Sequence, residues 1–176
     1  PNTIETLGFG VFQMCSSLEK VTFESGSKVT ELKDSMFYQC TKLKEVVFPE
    51  NLKSIKVLAF YKCTSLETVT LPEGFTTLYN AAFLDCTNLK TVIVPDSLNH
   101  MVMNPFEGCT NLETLSVPYR CWQFGIVAAE WTETSVMPLT DAVNMQTLYI
   151  DQVEGKYDWH EKELPKSAAY ETMKIY

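Results

Sequence analysis

The sequence predicts a β-rich solenoid: about five stacked units of 23 residues, with short strands, turn or short-helix segments and a C-terminal cap. Three observations predict it. Cys15, Cys40, Cys63, Cys86 and Cys109 recur at spacings of 25, 23, 23 and 23 residues. Each has a Phe three residues before it (Phe12, Phe37, Phe60, Phe83, Phe106) and a Leu three residues after it (Leu18, Leu43, Leu66, Leu89, Leu112). Apolar residues then alternate with period two, through Val21/Phe23, Val46/Phe48, Val69/Leu71, Val92/Val94 and Leu115/Val117. A register held across this many columns is the mark of a repeat architecture.

Each part of the unit has a physical reading. The Leu-x-x-Val-x-Leu segment has strand alternation in β-branched residues. Pro49, Pro72, Pro95 and Pro118 close four of the strands, because proline brings no ladder donor. The Phe-x-x-Cys segment predicts a tight turn or short helix with its Phe in the core. Upstream, Ile4/Leu7, Val29/Leu32, Leu52/Ile55, Phe75/Leu78 and Leu98/Met101 supply a second apolar column pair. The irregular first spacing arises at Glu24-Ser25-Gly26-Ser27-Lys28, a Gly/Ser insert that reads as a surface loop. One unit alone cannot bury these residues; stacked units bury them against each other and share a parallel sheet. The repeat fills residues 1–118, residues 119–131 read as an amphipathic capping helix, and residues 132–176 as an irregular, β-rich C-terminal cap.

The repeating unit, best seen in residues 49–72 (PENLKSIKVLAFYKCTSLETVTLP), resembles the BspA-like leucine-rich repeat. The stretch Val117-Pro118 through Trp131 is similar to the family's frequent ending, with a more apolar helix than usual. The resemblance implies a leucine-rich repeat solenoid in a secreted or surface-attached bacterial protein. It implies adhesion to host or cell-surface proteins or glycans, and no catalysis. An architectural spacer, or a targeting arm for an enzyme domain elsewhere in a longer protein, is the alternative.

Composition excludes several classes. With 14 basic and 22 acidic residues the net charge is −8, spread evenly, and no basic stripe exists to bind nucleic acid or anionic lipid. No apolar run reaches the roughly 18 residues of a membrane span. No signal peptide is visible, and Pro1 already stands in phase with the repeat, so the natural chain is expected to begin upstream.

Candidate chemistry is sparse. The five in-phase cysteines read as a reduced, buried ladder of small apolar side chains. Neither His100 nor His160 stands beside a cysteine pair with metal-ligand spacing, so no metal site is expected. Cys121 with His160 is a conceivable nucleophile pair, but no local motif supports it. No phosphate-binding glycine loop occurs, and no cofactor is expected. The hydroxyl column Ser16, Thr41, Thr64, Thr87 and Thr110, with Asn88 and Asn111, reads as turn satisfaction. Tyr38, Tyr61 and Leu84 form an apolar strip at the opposite edge.

The outward strand positions are the candidate binding face: Lys44, Val47, Glu67, Thr68, Thr70, Lys90, Thr91 and Ile93. The column Glu19, Lys44, Glu67, Lys90, Glu113 alternates in sign, so each charge is expected to pair across the ladder. Beyond the repeat, Met145 to Ile150 imitates the repeat strand and is expected to add a rung, and Thr147 to Trp159 could form a hairpin around Glu154-Gly155.

Overall fold

The computed structural model describes residues 3–102, 104–118, 147–151 and 172–175. Among these residues the chain winds as a β-solenoid with no helix. Three hydrogen-bond ladders run along the winding axis, one for each part of the unit. The capping helix expected over 119–131 lies outside the described residues.

The first ladder holds the Leu-x-x-Val-x-Leu strands: β1 (Lys20–Thr22), β3 (Glu45–Val47), β5 (Thr68–Thr70), β7 (Thr91–Ile93) and β9 (Thr114–Pro118). All pairings are parallel and in repeat register, with Val21 opposite Val46 and Val69 opposite Val92. Beyond the repeat, β10 (Thr147–Asp151) pairs with β9, and β11 (Thr172–Ile175) pairs with β10. Both edges of β10 are thus taken by parallel neighbours, so it joins the sheet as a rung and not as the arm of a hairpin.

The second ladder was not anticipated as strand. It comprises β2 (Glu31–Leu32), β4 (Ser54–Ile55), β6 (Thr77–Leu78) and β8 (His100–Met101), in the continuous order β2-β4-β6-β8. Each strand has two residues, too short for alternation to show in sequence.

The third ladder is the Phe-x-x-Cys segment, which folds as a turn throughout. Its N–H groups point along the axis: Phe12 to the Met36 carbonyl at 3.0 Å, Phe37 to Ala59 at 2.7 Å, Phe60 to Ala82 at 2.8 Å and Phe83 to Pro105 at 2.8 Å. A left-handed residue stands directly before every cysteine: Met14, Gln39, Lys62, Asp85 and Gly108, with φ between 55° and 72°. A second precedes the Phe by two residues in four units, at Gly10, Ser35, Leu58 and Ala81. This conformation costs a non-glycine residue roughly 1–2 kcal/mol. Its return is a donor aimed at the next unit: Gln39, Lys62 and Asp85 bond the carbonyls of Tyr61, Leu84 and Glu107 at 2.7–2.9 Å. Gly108 has a further reason to lack a side chain, because a Cβ there would strike the Asp85 carboxylate and lie 3.2 Å from Asp85 Cα and N.

The core lies between the ladders. Rings 12, 37, 60, 83 and 106 form one stacked column at centroid spacings of 5.4, 5.0, 5.0 and 5.7 Å. That is close to the strand spacing of about 4.8 Å. Cys40, Cys63, Cys86 and Cys109 are buried and unbridged. Each thiol donates to the carbonyl of the Phe one unit earlier, at 3.0–3.2 Å. The Phe37 carbonyl therefore accepts twice, from its own unit's Cys40 N–H and from Cys63 Sγ. The cysteines act as small apolar residues that also tie neighbouring turns together. Cys15 departs from the expectation of burial. It is exposed because no described unit packs ahead of it. For the same reason Leu7, Phe12, Leu18 and Val21 are only half-buried.

Candidate binding face

The first ladder shows its outward side chains to solvent. Lys44, Val47, Glu67, Thr68, Thr70, Lys90 and Ile93 are exposed and Thr91 is half-exposed, while the alternate residues Val69 and Val92 are buried. The alternation follows from the strand's period of two, so neighbouring residues face opposite sides of the sheet. Val47 at 42% and Ile93 at 44% are among the few large apolar side chains exposed away from the first unit.

The charges pair, but not continuously. Lys44 Nζ meets Glu19 at 2.9 Å, Lys20 meets Glu45 at 2.8 Å and Lys90 meets Glu67 at 3.4 Å. Lys44 beside Glu19 holds that carboxyl below its ordinary range. Among the described residues no ion pair joins Lys44 to Glu67. The sheet itself divides at that point: β1-β3 is one sheet, and the order β11-β10-β9-β7-β5 forms another. The alternation of sign in the sequence is real, but pairing across every junction also needs an unbroken ladder. Exposed pairs of this kind contribute little stability, and their effect is to neutralise the face.

The second ladder carries a polar cluster that the sequence reasoning missed. Glu31 contacts Lys33, accepts from Ser54 Oγ at 3.4 Å and pairs with Lys56 at 2.8 Å. Lys56 Nζ also lies 4.1 Å from the centre of the Tyr79 ring. Hydrogen bonds from Lys33 and then Lys56 lower the Glu31 carboxyl. The lysines stand on different windings, so only the offset of one repeat, visible as 33 to 56, could have linked them. The Glu31 carboxylate is satisfied within the cluster, whose two lysines and one carboxylate leave a single net positive charge.

The remaining candidates are structural. Thr64 Oγ1 donates to the Thr41 carbonyl at 3.3 Å and Asn111 Nδ2 to the Thr87 carbonyl at 2.7 Å, as the turn column predicted. Tyr38 and Tyr61 pack together at 4.6 Å with Lys62 over Tyr61. Among the described residues no group of His, Cys, Asp and Glu could hold a metal ion, and no helix is long and apolar enough to cross a membrane. Cys121 and His160 lie outside the described residues.

A family model, BspA type leucine-rich repeat region, matches residues 5–128 in six copies. Among the solved structures that are similar are two leucine-rich repeat proteins. A leucine-rich repeat protein from Bacteroides ovatus is 33% identical with a TM-score of 0.60, over 65% of this chain and 29% of that one. The leucine-rich repeat protein of T. pallidum is 25% identical with a TM-score of 0.60, over 70% of this chain and 64% of that one. The chain thus spans less than a third of the B. ovatus protein. No curated protein matches.

Proposed function

Because the chain belongs to the BspA-type leucine-rich repeat family, we propose that it is a non-catalytic protein-binding module of a cell-surface or secreted bacterial protein. Adhesion to a host or cell-surface protein is the role that fits it, with a glycan-bearing surface as the other ligand class. The binding surface is the outward face of the first ladder, through Lys44, Val47, Glu67, Thr68, Thr70, Lys90, Thr91 and Ile93.

One observation carries this reading. The strand face is a surface repeated winding after winding, neutralised by ion pairs and bearing exposed Val47 and Ile93. Solenoids present such extended faces to macromolecules. Small ligands instead need a concave pocket with converging polar groups.

The test is a binding screen of the folded chain against matrix proteins and glycans, followed by the Val47→Asp/Ile93→Asp variant. Charges placed at a contact should weaken binding by at least about tenfold while leaving the fold intact. Unchanged affinity with an unchanged circular dichroism spectrum eliminates this face. The aromatic residues Tyr157 and Trp159, outside the described residues, then become the candidate.

A further inference from the structure

Units two and three are hydrogen-bonded on two sides and unpaired on the third. On the second ladder, Lys53 N–H reaches the Thr30 carbonyl at 2.7 Å and Lys56 N–H reaches Leu32 at 2.9 Å. On the turn ladder, Phe37 and Gln39 bond the carbonyls of Ala59 and Tyr61, both at 2.7 Å. Phe37 and Phe60 stack between them at 5.0 Å. Yet β3 and β5, the strands these contacts should bring side by side, do not pair. The other junctions of the strand ladder share a leading contact: Lys44 N–H to the Glu19 carbonyl, Lys90 to Glu67 and Glu113 to Lys90, all at 2.9 Å. No such bond runs from Glu67 to Lys44 among the described residues.

The side chains bordering the split are consistent with an opening. Val46 is half-buried, although Val69, Val92 and Leu115 in the same column are at most 1% exposed. Phe48 stands edge-on to Phe60 at 6.0 Å, beside the gap. The charges on the two lips turn away from it: Lys44 and Glu45 pair back to the first unit, and Glu67 pairs forward to Lys90.

We propose that this split is a slot for one extended, uncharged segment of a partner polypeptide, which adds a β-strand to the free edges of β3 and β5. The proposal rests on the strand face being the binding surface and specifies where on it the partner sits and in what conformation. Two facing strand edges ask for backbone N–H and C=O groups in alternation, which an extended peptide supplies. Half-exposed Val46 asks for an apolar side chain. The neutralised lips offer nothing to a charged one. Thr68, Thr70 and Val47, on the outer lips, suit a β-branched partner strand.

The probe is the chain's own β5 sequence with its glutamate replaced by glutamine, the blocked and uncharged peptide acetyl-LQTVTLP-amide, titrated into the isotopically labelled chain and followed by amide resonances. Saturable shifts are expected in residues 44–48 and 67–71. The same peptide with proline in place of its valine should not bind, because it loses a backbone donor. In a Cys15→Ser/Cys121→Ser background, Val47→Cys with Thr70→Cys, bridged by a short linker with a maleimide at each end to which the two thiols add, should block the peptide by at least about tenfold. The absence of saturable shifts, equal binding of the proline peptide, or unchanged binding after bridging each overturns the slot. Binding that survives bridging but is lost in Ile93→Asp would overturn the slot and leave the face standing. Binding lost on bridging and kept in Ile93→Asp supports the slot.

Discussion

Replacing Phe60 with alanine should be among the most costly truncations available in this chain. The ring is fully buried, stacked at 5.0 Å on both Phe37 and Phe83 and met edge-on by Phe48 at 6.0 Å. Truncating a buried Phe costs about 3–5 kcal/mol. Ring pairs add roughly 0.5–1.5 kcal/mol each, and three are lost here, which places Phe60→Ala near the top of the range, at about 5 kcal/mol. Phe12 holds the same phase but is half-exposed and has one ring partner among the described residues, Phe37, at 5.4 Å. Phe12→Ala should cost about 1–2 kcal/mol. The gap of roughly 3–4 kcal/mol is a midpoint difference of about 2 M in a urea melt read by circular dichroism, for a slope near 2 kcal/mol/M. If Phe60→Ala does not fold, Phe60→Leu, expected at about 1–2 kcal/mol, gives a measurable comparison. The two alanine variants differing by less than about 0.5 kcal/mol would refute the argument that stacked neighbours on both sides set the cost.

The thiols give a second prediction. Cys15 should label at once in the native state, whereas Cys40, Cys63, Cys86 and Cys109 should react only after denaturation; rapid native labelling of all five contradicts the ladder. A pH prediction follows from burial, which pushes the Cys40 thiol up to about 11 and raises those of Cys63 and Cys86. Unfolded thiols ionise near about 8.5, so above that pH the unfolded chain binds fewer protons than the folded one and stability falls. The thiol contribution is fully present below about pH 8.5 and declines as pH rises toward the folded values, so the urea midpoint should be lower at pH 9.5 than at pH 7. A cysteine-to-alanine series at the buried positions should flatten that dependence. At Gly108, substitution by Ala should destabilise by at least about 1 kcal/mol through the left-handed backbone and the collision with Asp85. A thermal melt unchanged by Gly108→Ala would show that the turn can relax.

The columns of the solenoid were legible because a repeat writes each core position several times. Phe37, Phe60 and Phe83, and the cysteines after them, announced their burial by spacing alone. Features that depend on a junction were not legible. Cys15 has the same sequence context as Cys63 and differs in having no described unit ahead of it. The second ladder escaped notice because two residues per winding cannot alternate. Left-handed Gln39, Lys62 and Asp85 carry no glycine signal; the axial hydrogen bonds hold them there against propensity. Lys44 and Glu67 read in sequence like every other opposed pair, and the unpaired strands beneath them set that junction apart. The binding face was readable as a surface, and its division was not.

The thiol-to-carbonyl contact repeats at one unit's offset, and so do the turn and second-ladder bonds. Bonding of that kind makes the middle of the molecule a one-dimensional lattice, indifferent to translation by a whole period. Excising residues 50–72, one complete period of 23, would carry Pro49 directly to Glu73 with every column in step. Phe37 would then meet Phe83, and Cys86 would reach the Phe37 carbonyl in place of Cys63. Excision of a few residues more or fewer would leave the turns incommensurate and the carbonyls without donors. The shortened chain would place β3 against β7, replacing the β3–β5 and β5–β7 junctions with a single new one and keeping the strand junctions on either side. Length along this axis is therefore free to change in whole periods, and what such a change alters is which strands meet.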